Sequence, residues 1–302
     1  MNYKILHIII LLIFVVSSNA CIEKAEPKTS QEKLIVVVSI LPQADFVEQV
    51  GGDKVEVIVM IAPGASPATY EPTASQLKAI SSAKMYAKVG SGLPFEEVWL
   101  DKIRSVNPDM LLVDTSEGIT LIAMEEHHHD EEISGLDGDK RGMDPHIWLS
   151  PANAKIIVQN ICDGLVRIDP ANKTYYEQNK EHYIHDLEVL DLEISESLSG
   201  FENRTFMVFH PSWGYFARDY KLAMIAVEVE GKEPSASDLE HLIENAKEKN
   251  IKVIFVQPQF STKSAEVISK EIGGNVLPVD PLAKDYITNL RQVSNTIAQG
   301  LT

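Results

Sequence analysis

The stretch Leu34-Ile35-Val36-Val37-Val38-Ser39-Ile40 decides the fold. Its apolar residues do not alternate with polar ones, so a pleated strand built from it has two buried faces. Its β-branched side chains suit that setting. Strands of this kind belong to parallel sheets covered by helices on both sides. Pro42 ends the strand. A short helix is expected through Phe46, Val47 and Val50, stopped by Gly51-Gly52. A second strand is expected over 55–61. After the loop 62–72 come a helix over 73–82, a strand over 85–89, a helix carrying Val98, Trp99, Leu100 and Ile103, and a strand over 110–114. Such repeated strand–helix alternation means βαβ units.

The alternation stops at residues 125–143, which read Glu-Glu-His-His-His-Asp-Glu-Glu and then a Gly/Asp-rich run. With no apolar period, this is a loop. A helix follows over 152–167, and Cys162 within its apolar face reads as a small buried hydrophobe. Over 175–198, Tyr183, Leu187, Leu190, Ile194 and Leu198 recur three or four residues apart, which makes one long amphipathic helix. About 24 residues at ~1.5 Å each span ~36 Å, enough to cross a domain and connect two lobes. The alternation then resumes, with strands over 206–209, 223–229, 251–256 and 276–279 and helices over 213–220, 235–249, 262–272 and 285–298. Ser235 and Asp238 are placed as a capping box.

The fold class is therefore α/β, with two lobes that are each a mostly parallel sheet flanked by helices, joined by one long helix. The expected division is a signal segment over 1–20, a tether over 21–32, an N-terminal lobe over 33–172 with the His-rich loop inside it, the linking helix over 173–200, and a C-terminal lobe over 201–302.

The chain has 302 residues, is 44% hydrophobic and carries a formal net charge of −17. That length suits two domains of ordinary size. The charge argues against nucleic acid and anionic membrane surfaces as partners. It is compatible with attracting cations, but plain solubility is the reading favoured for it. Lys4, the apolar run 8–16 and Ser17-Ser18-Asn19-Ala20 before Cys21 form a targeting segment. The apolar run is too short for a comfortable membrane span. Small residues before a cysteine resemble a lipoprotein signal, in which Cys21 becomes a lipidated N-terminus anchored to the cell membrane. Ser18 departs from the apolar residue usual there, and cleavage after Ala20 to give a secreted or periplasmic soluble protein is the competing reading. A monomer is expected.

Three residues share a placement. His210 and Asp280 each directly follow an apolar strand, and His146 opens a helical region after a loop. In open parallel sheets, ligands bind at the carboxyl ends of the strands. Two imidazoles and a carboxylate suit Zn²⁺, Mn²⁺ or Fe²⁺. Pro145, Pro211 and Pro281 stiffen the adjoining backbone. Each residue also has a plain structural role open to it: a helix cap for His146, a core histidine for His210, a turn residue for Asp280.

The motifs Pro63-Gly64-Ala65-Ser66-Pro67, Tyr70-Glu71-Pro72, Asp144-Pro145-His146-Ile147-Trp148-Leu149-Ser150-Pro151, Phe209-His210 with Gly214-Tyr215-Phe216, Glu233-Pro234-Ser235 and Asp280-Pro281-Leu282 occur in this order. On them, the chain from about residue 34 to 301 resembles the metal-receptor lipoproteins of zinc and manganese ABC transporters, the cluster A-I solute-binding proteins. The resemblance implies two lobes on a rigid backbone helix and a metal site in the cleft. His146, His210 and Asp280 would stand at the family's second, third and fourth ligand positions. At the first, where the family has histidine, this chain has Ala68. Water, Glu71, or one of His127, His128 and His129 are candidates to complete the shell; a cargo that is a metal chelate or small organic ligand is another way to account for Ala68. Trp213 beside His210 would suit stacking on such a ligand, but burial in the core is the reading favoured for it.

His- and acid-rich insertions like 125–132 are also family-like, and clustered imidazoles bind zinc weakly. The plain alternative is a solvated charged loop. The expected function is an extracytoplasmic receptor, not an enzyme, that passes zinc, or secondarily manganese, to an ABC permease. A metal-dependent hydrolase, which an open two-His, one-Asp site also describes, and an adhesin on the same fold are the alternatives.

Overall fold

The computed structural model describes residues 32–124, 142–229 and 231–302. Lys33–Thr302 forms one compact unit. Cys21 and the histidines at 127, 128 and 129 lie outside the described residues.

Two four-stranded sheets carry the chain. The first holds β1 (Leu34–Val38), β2 (Val55–Val59), β3 (Met85–Lys88) and β4 (Leu111–Asp114) in the order β2-β1-β3-β4. The second holds β5 (Thr205–Val208), β6 (Ala223–Ala226), β7 (Val253–Val256) and β8 (Asn275–Pro278) in the order β6-β5-β7-β8. Every strand pairing in both sheets is parallel. Val36, Val37 and Val38 are completely buried, as a strand covered on both faces requires.

The helices begin where local chemistry stops the strands. Pro42 and Pro94 sit in the first turns of α1 (Leu41–Gly51) and α3 (Pro94–Val106), where a missing N–H costs nothing. Thr73 and Gln76 form a capping box at the start of α2 (Ala74–Ile80). Ser150 caps α4 (Pro151–Ile168). Ser235 and Asp238 make the expected capping box on α7 (Ala236–Glu248). Asp285 caps α9 (Tyr286–Gly300), and α8 (Lys263–Ile272) ends at Gly273 in the left-handed region. In α3 Val98 is 72% exposed, whereas Ile103 is buried.

The long helix α5 spans Lys173–Ser197, and Tyr183, Leu187, Leu190 and Ile194 on it are buried. It packs against α1, α4 and α9, so elements from both ends of the chain share it. One apolar cluster runs without a break from Val36 in β1 through Leu190 in α5 to Phe255 in β7. A smaller cluster, including Met207, Ile254 and Ile268, fills the far face of the second sheet. Polar contacts stitch the two sheets' elements together. Trp148 Nε1 donates to Pro281 O at 2.7 Å, Tyr286 Oη donates to Trp148 O at 2.7 Å, and Tyr215 Oη donates to Asp144 O at 3.0 Å. Cys162 is buried, and burial pushes its thiol up to about 11. Among the described residues no helix is long and apolar enough to cross a membrane.

Candidate metal centre

His210 lies two residues past β5, at the point where the second sheet's strand order reverses between β5 and β7. Its backbone is clamped by the buried Gln257, which lies just past β7: His210 N donates to Gln257 Oε1 at 3.1 Å, and Gln257 Nε2 donates to His210 O at 2.6 Å. Its ring stacks on Phe260 with centroids 4.7 Å apart and planes inclined 23°. Its Nδ1 lies 2.7 Å from Oε1 of Glu228, which is 7% exposed. Strand register explains that partner. Val208 pairs with Ala226, so two residues further on His210 and Glu228 stand side by side.

His146 arrives from the segment leading into α4. It precedes the 3-10 turn Ile147–Leu149 without capping it through its side chain; the cap of α4 is Ser150. Its Nδ1 lies 2.7 Å from Asp144 Oδ1, and the same oxygen accepts from His146 N at 2.9 Å. Asp144 is 2% exposed. Gly214, opening α6 (Gly214–Asp219), leaves no room for even a methyl group against Asp144 Oδ2, so glycine there is what lets this carboxylate approach. Ser91 Oγ donates to Pro145 O at 2.7 Å and ties the segment to the end of β3.

The two imidazoles face one another with ring centroids 5.2 Å apart. In each, a carboxylate accepts from Nδ1, which fixes the tautomer and leaves the Nε2 lone pair available. This is the arrangement that orients metal-ligating histidines. Burial holds the His146 pKa below its ordinary 6.5, against the opposing pull of Asp144.

Both rings line a cavity of about 330 Å³ whose wall includes Ala68, Leu93, Trp148, Phe260 and Leu282. Asp280 follows β8 closely and is half-buried. Its Oδ1 accepts from Leu282 N at 2.9 Å and from Gln259 Nε2 at 3.3 Å. Pro281, Leu282 and Gln259 line the cavity, and Asp280 itself does not. Glu71 is exposed and also stands off the cavity wall. Among the described residues no three of His, Cys, Asp and Glu are close enough to hold a metal ion. The sequence-derived trio is thus brought together in part: two imidazoles meet, and the carboxylate sits one residue away from the wall. Trp213 is fully buried against Phe216 and takes no part in the cavity.

Sequence reasoning missed Asp144, Glu228, Gln257 and Phe260. For Asp144 a signal existed, since an Asp two residues before a histidine can bond that residue's backbone N–H. The others depend on strand register, and no local pattern points to them.

Residues 36–300 match the model of the family described as zinc-uptake complex component A, periplasmic. The chain is 32% identical over 254 residues to the high-affinity zinc uptake system protein ZnuA of Bacillus subtilis (strain 168), a match covering 83% of this chain and 79% of that protein. It is 31% identical over 268 residues to the zinc-binding lipoprotein AdcA of Streptococcus pneumoniae, with 84% of this chain matched to 51% of that protein. The chain therefore spans about half the length of that relative. A crystal structure of ZnuA superposes with a TM-score of 0.83 at 43% identity, covering 90% of this chain and 100% of that one.

Proposed function

The chain belongs to the zinc-uptake complex component A family, and on that premise we propose that it is an extracytoplasmic receptor that captures a divalent metal, zinc before manganese, and delivers it to an ABC permease. The observation that carries the proposal is the facing pair His146 and His210, each with Nδ1 on a buried carboxylate. Neutral imidazole with an oriented Nε2 is a good donor to zinc, whereas an all-carboxylate site would favour manganese.

In this reading His146 and His210 bind the ion, and Asp280 joins them when its carboxylate turns from Gln259 toward the cavity. Because burial keeps His146 neutral below its ordinary 6.5, capture does not first require removing a proton from that ring at neutral pH. His127, His128 and His129 act as weak collecting donors. Glu71, exposed and off the wall, is the weaker candidate for the shell. Cys21 carries the lipid anchor, and the receptor works as a monomer. The relatives are named as metal-uptake components, and the reading includes no turnover.

The test is zinc titration calorimetry on the mature chain and on His146→Ala and His210→Ala. Each substitution is expected to weaken zinc by more than the ~10–100-fold that a supporting carboxylate is worth. Equal binding of zinc, manganese and nickel by wild type and both variants would remove the cleft from consideration.

A further inference from the structure

The short segment 144–150, which carries His146, is fastened to the second half of the chain by hydrogen bonds along its length. Tyr215 Oη donates to Asp144 O at 3.0 Å, Trp148 Nε1 donates to Pro281 O at 2.7 Å, Tyr286 Oη donates to Trp148 O at 2.7 Å, and Ser150 Oγ donates to the Asp219 carboxylate. The two bonds made by Trp148 are well shielded, since Trp148 is 1% exposed and Tyr286 is 2% exposed. A hydrogen bond away from water is electrostatically stronger than one in it.

Trp148 touches two ligand-bearing stretches at once. On one side its ring stands edge-on to that of His146, with centroids 5.2 Å apart and planes inclined 60°. On the other its N–H holds the carbonyl of Pro281, the residue directly after Asp280. The carbonyl of Asp280 itself accepts from Asn289 Nδ2, near the start of α9, at 2.7 Å. With both carbonyls held and the φ of Pro281 fixed by its ring, the backbone of Asp280 is pinned, and its carboxylate moves by side-chain rotation. Tyr286 completes the tie. It lies five residues past Pro281 and opens α9, so its bond to Trp148 O closes a ring from Trp148 through residues 281–286 and back.

Resting on the receptor reading above, in which Asp280 joins the two imidazoles, we propose that Trp148 is a positioning residue for metal capture. Its indole N–H fixes the Asp280 turn against the His146 segment before the ion arrives. The spacing between a histidine of the first lobe and a carboxylate of the second is then set by one buried side chain, and lobe closure is not needed to create it. Groups already in place do not have to be ordered when the ligand binds, and that saving appears as affinity.

The experiment is a double-mutant cycle read by zinc titration calorimetry on the mature chain. Trp148→Phe keeps an aromatic ring beside His146 and removes the N–H that holds Pro281. It is expected to weaken zinc at least about tenfold, the lower end of what an outer-shell partner is worth. In the Asp280→Ala background the same change should cost less than about threefold, because the carboxylate it positions is gone and the two losses are not additive. Tyr286→Phe, which removes one hydroxyl, should show a smaller loss with the same dependence on Asp280, and it serves as the cycle if Trp148→Phe does not fold. An equal fold-loss in both backgrounds means general loosening of the cleft; it overturns the positioning role and leaves the receptor reading standing. Zinc bound by Trp148→Phe as tightly as by wild type does the same. Zinc affinity unmoved by Asp280→Ala removes Asp280 from the shell, and the positioning role with it. No zinc bound by wild type overturns both readings.

Discussion

The first sheet (β2-β1-β3-β4) and the second (β6-β5-β7-β8) share one topology. In each, the chain leaves the central strand in opposite directions, and this opens a crevice at the carboxyl ends, between β1 and β3 in one and β5 and β7 in the other. The two crevices are used differently. In the first, Glu96 from α3 fills the gap: its Oε1 accepts from Val89 N at 2.6 Å and its Oε2 from Gly90 N at 2.9 Å, while Ser39 Oγ just past β1 also donates to it. Ser39 Oγ is in turn 2.6 Å from Tyr86 Oη. Glu96 is 5% exposed, and burial raises its carboxyl pKa. In the second, the neutral Gln257 just past β7 bridges to the His210 backbone, and His210, Gln259 and Phe260 border the cavity. The lesson is that a topology supplies places for sites, and side chains decide which place becomes one. The first lobe contributes its histidine from the loop before α4, past its own closed crevice.

This contrast can be broken at its strongest point first. Glu96→Ala removes the buried carboxylate that accepts from the Val89 and Gly90 N–H groups and from Ser39 Oγ, and should lower stability by roughly 2–5 kcal/mol. The urea unfolding midpoint of the metal-free protein reads it, and a shift worth under ~1 kcal/mol would show that the plug does not hold the lobe together. At the second crevice the balance should reverse. Glu228→Gln is expected to weaken zinc by ~10–100-fold with little change in unfolding midpoint, because the carboxylate's task is to orient His210. A large stability loss with unchanged affinity would make Glu228 a structural residue like Glu96.

The smallest effect is in pH. The folded pKa of His146 lies below its ordinary 6.5 because of burial. As pH falls below ~6.5 the unfolded chain takes the proton first, so it binds more protons and stability drops, by at most about 1.4 kcal/mol per pH unit, until the folded pKa is reached. Glu96 works in the opposite sense. Its raised folded pKa means the folded chain protonates first, so its contribution to stability grows as pH falls toward its ordinary 4.5. Subtracting the unfolding pH profiles of His146→Asn and Glu96→Gln from wild type should give slopes of opposite sign, and slopes of the same sign would undo the distinction.

Much of this architecture was legible beforehand, for physical reasons that can be named. Val36, Val37 and Val38 announced a strand covered on both faces, and the stripe from Tyr183 to Ile194 announced α5, because burial leaves a period in sequence. Ser235 with Asp238 gave a helix start through two short-range bonds. His146 and His210 were found because each sits at a stiff junction. What stayed hidden depends on contacts distant in sequence. Glu228 meets His210 only through strand register, and Glu96 meets Ser39 only once the first turn of α3 reaches the ends of β1 and β3. Asp280 was placed at the right strand end, but the side-chain amide of Gln259 and the backbone of Leu282 hold its carboxylate back from the wall, a detail no pattern of residue types encodes.

Trp148 has a consequence beyond packing. Its indole is 1% exposed, with its N–H fixed on Pro281 O and its ring centroid 5.2 Å from that of His146. The chain has three tryptophans, and Trp148 is the one that borders the cavity. Zinc has no colour and no unpaired electron, yet a charge arriving on His146 acts directly on the excited state of its neighbour. The molecule thus carries an intrinsic fluorophore in the wall of the cavity, and if the proposed site fills, its filling can be followed by light emission without a label.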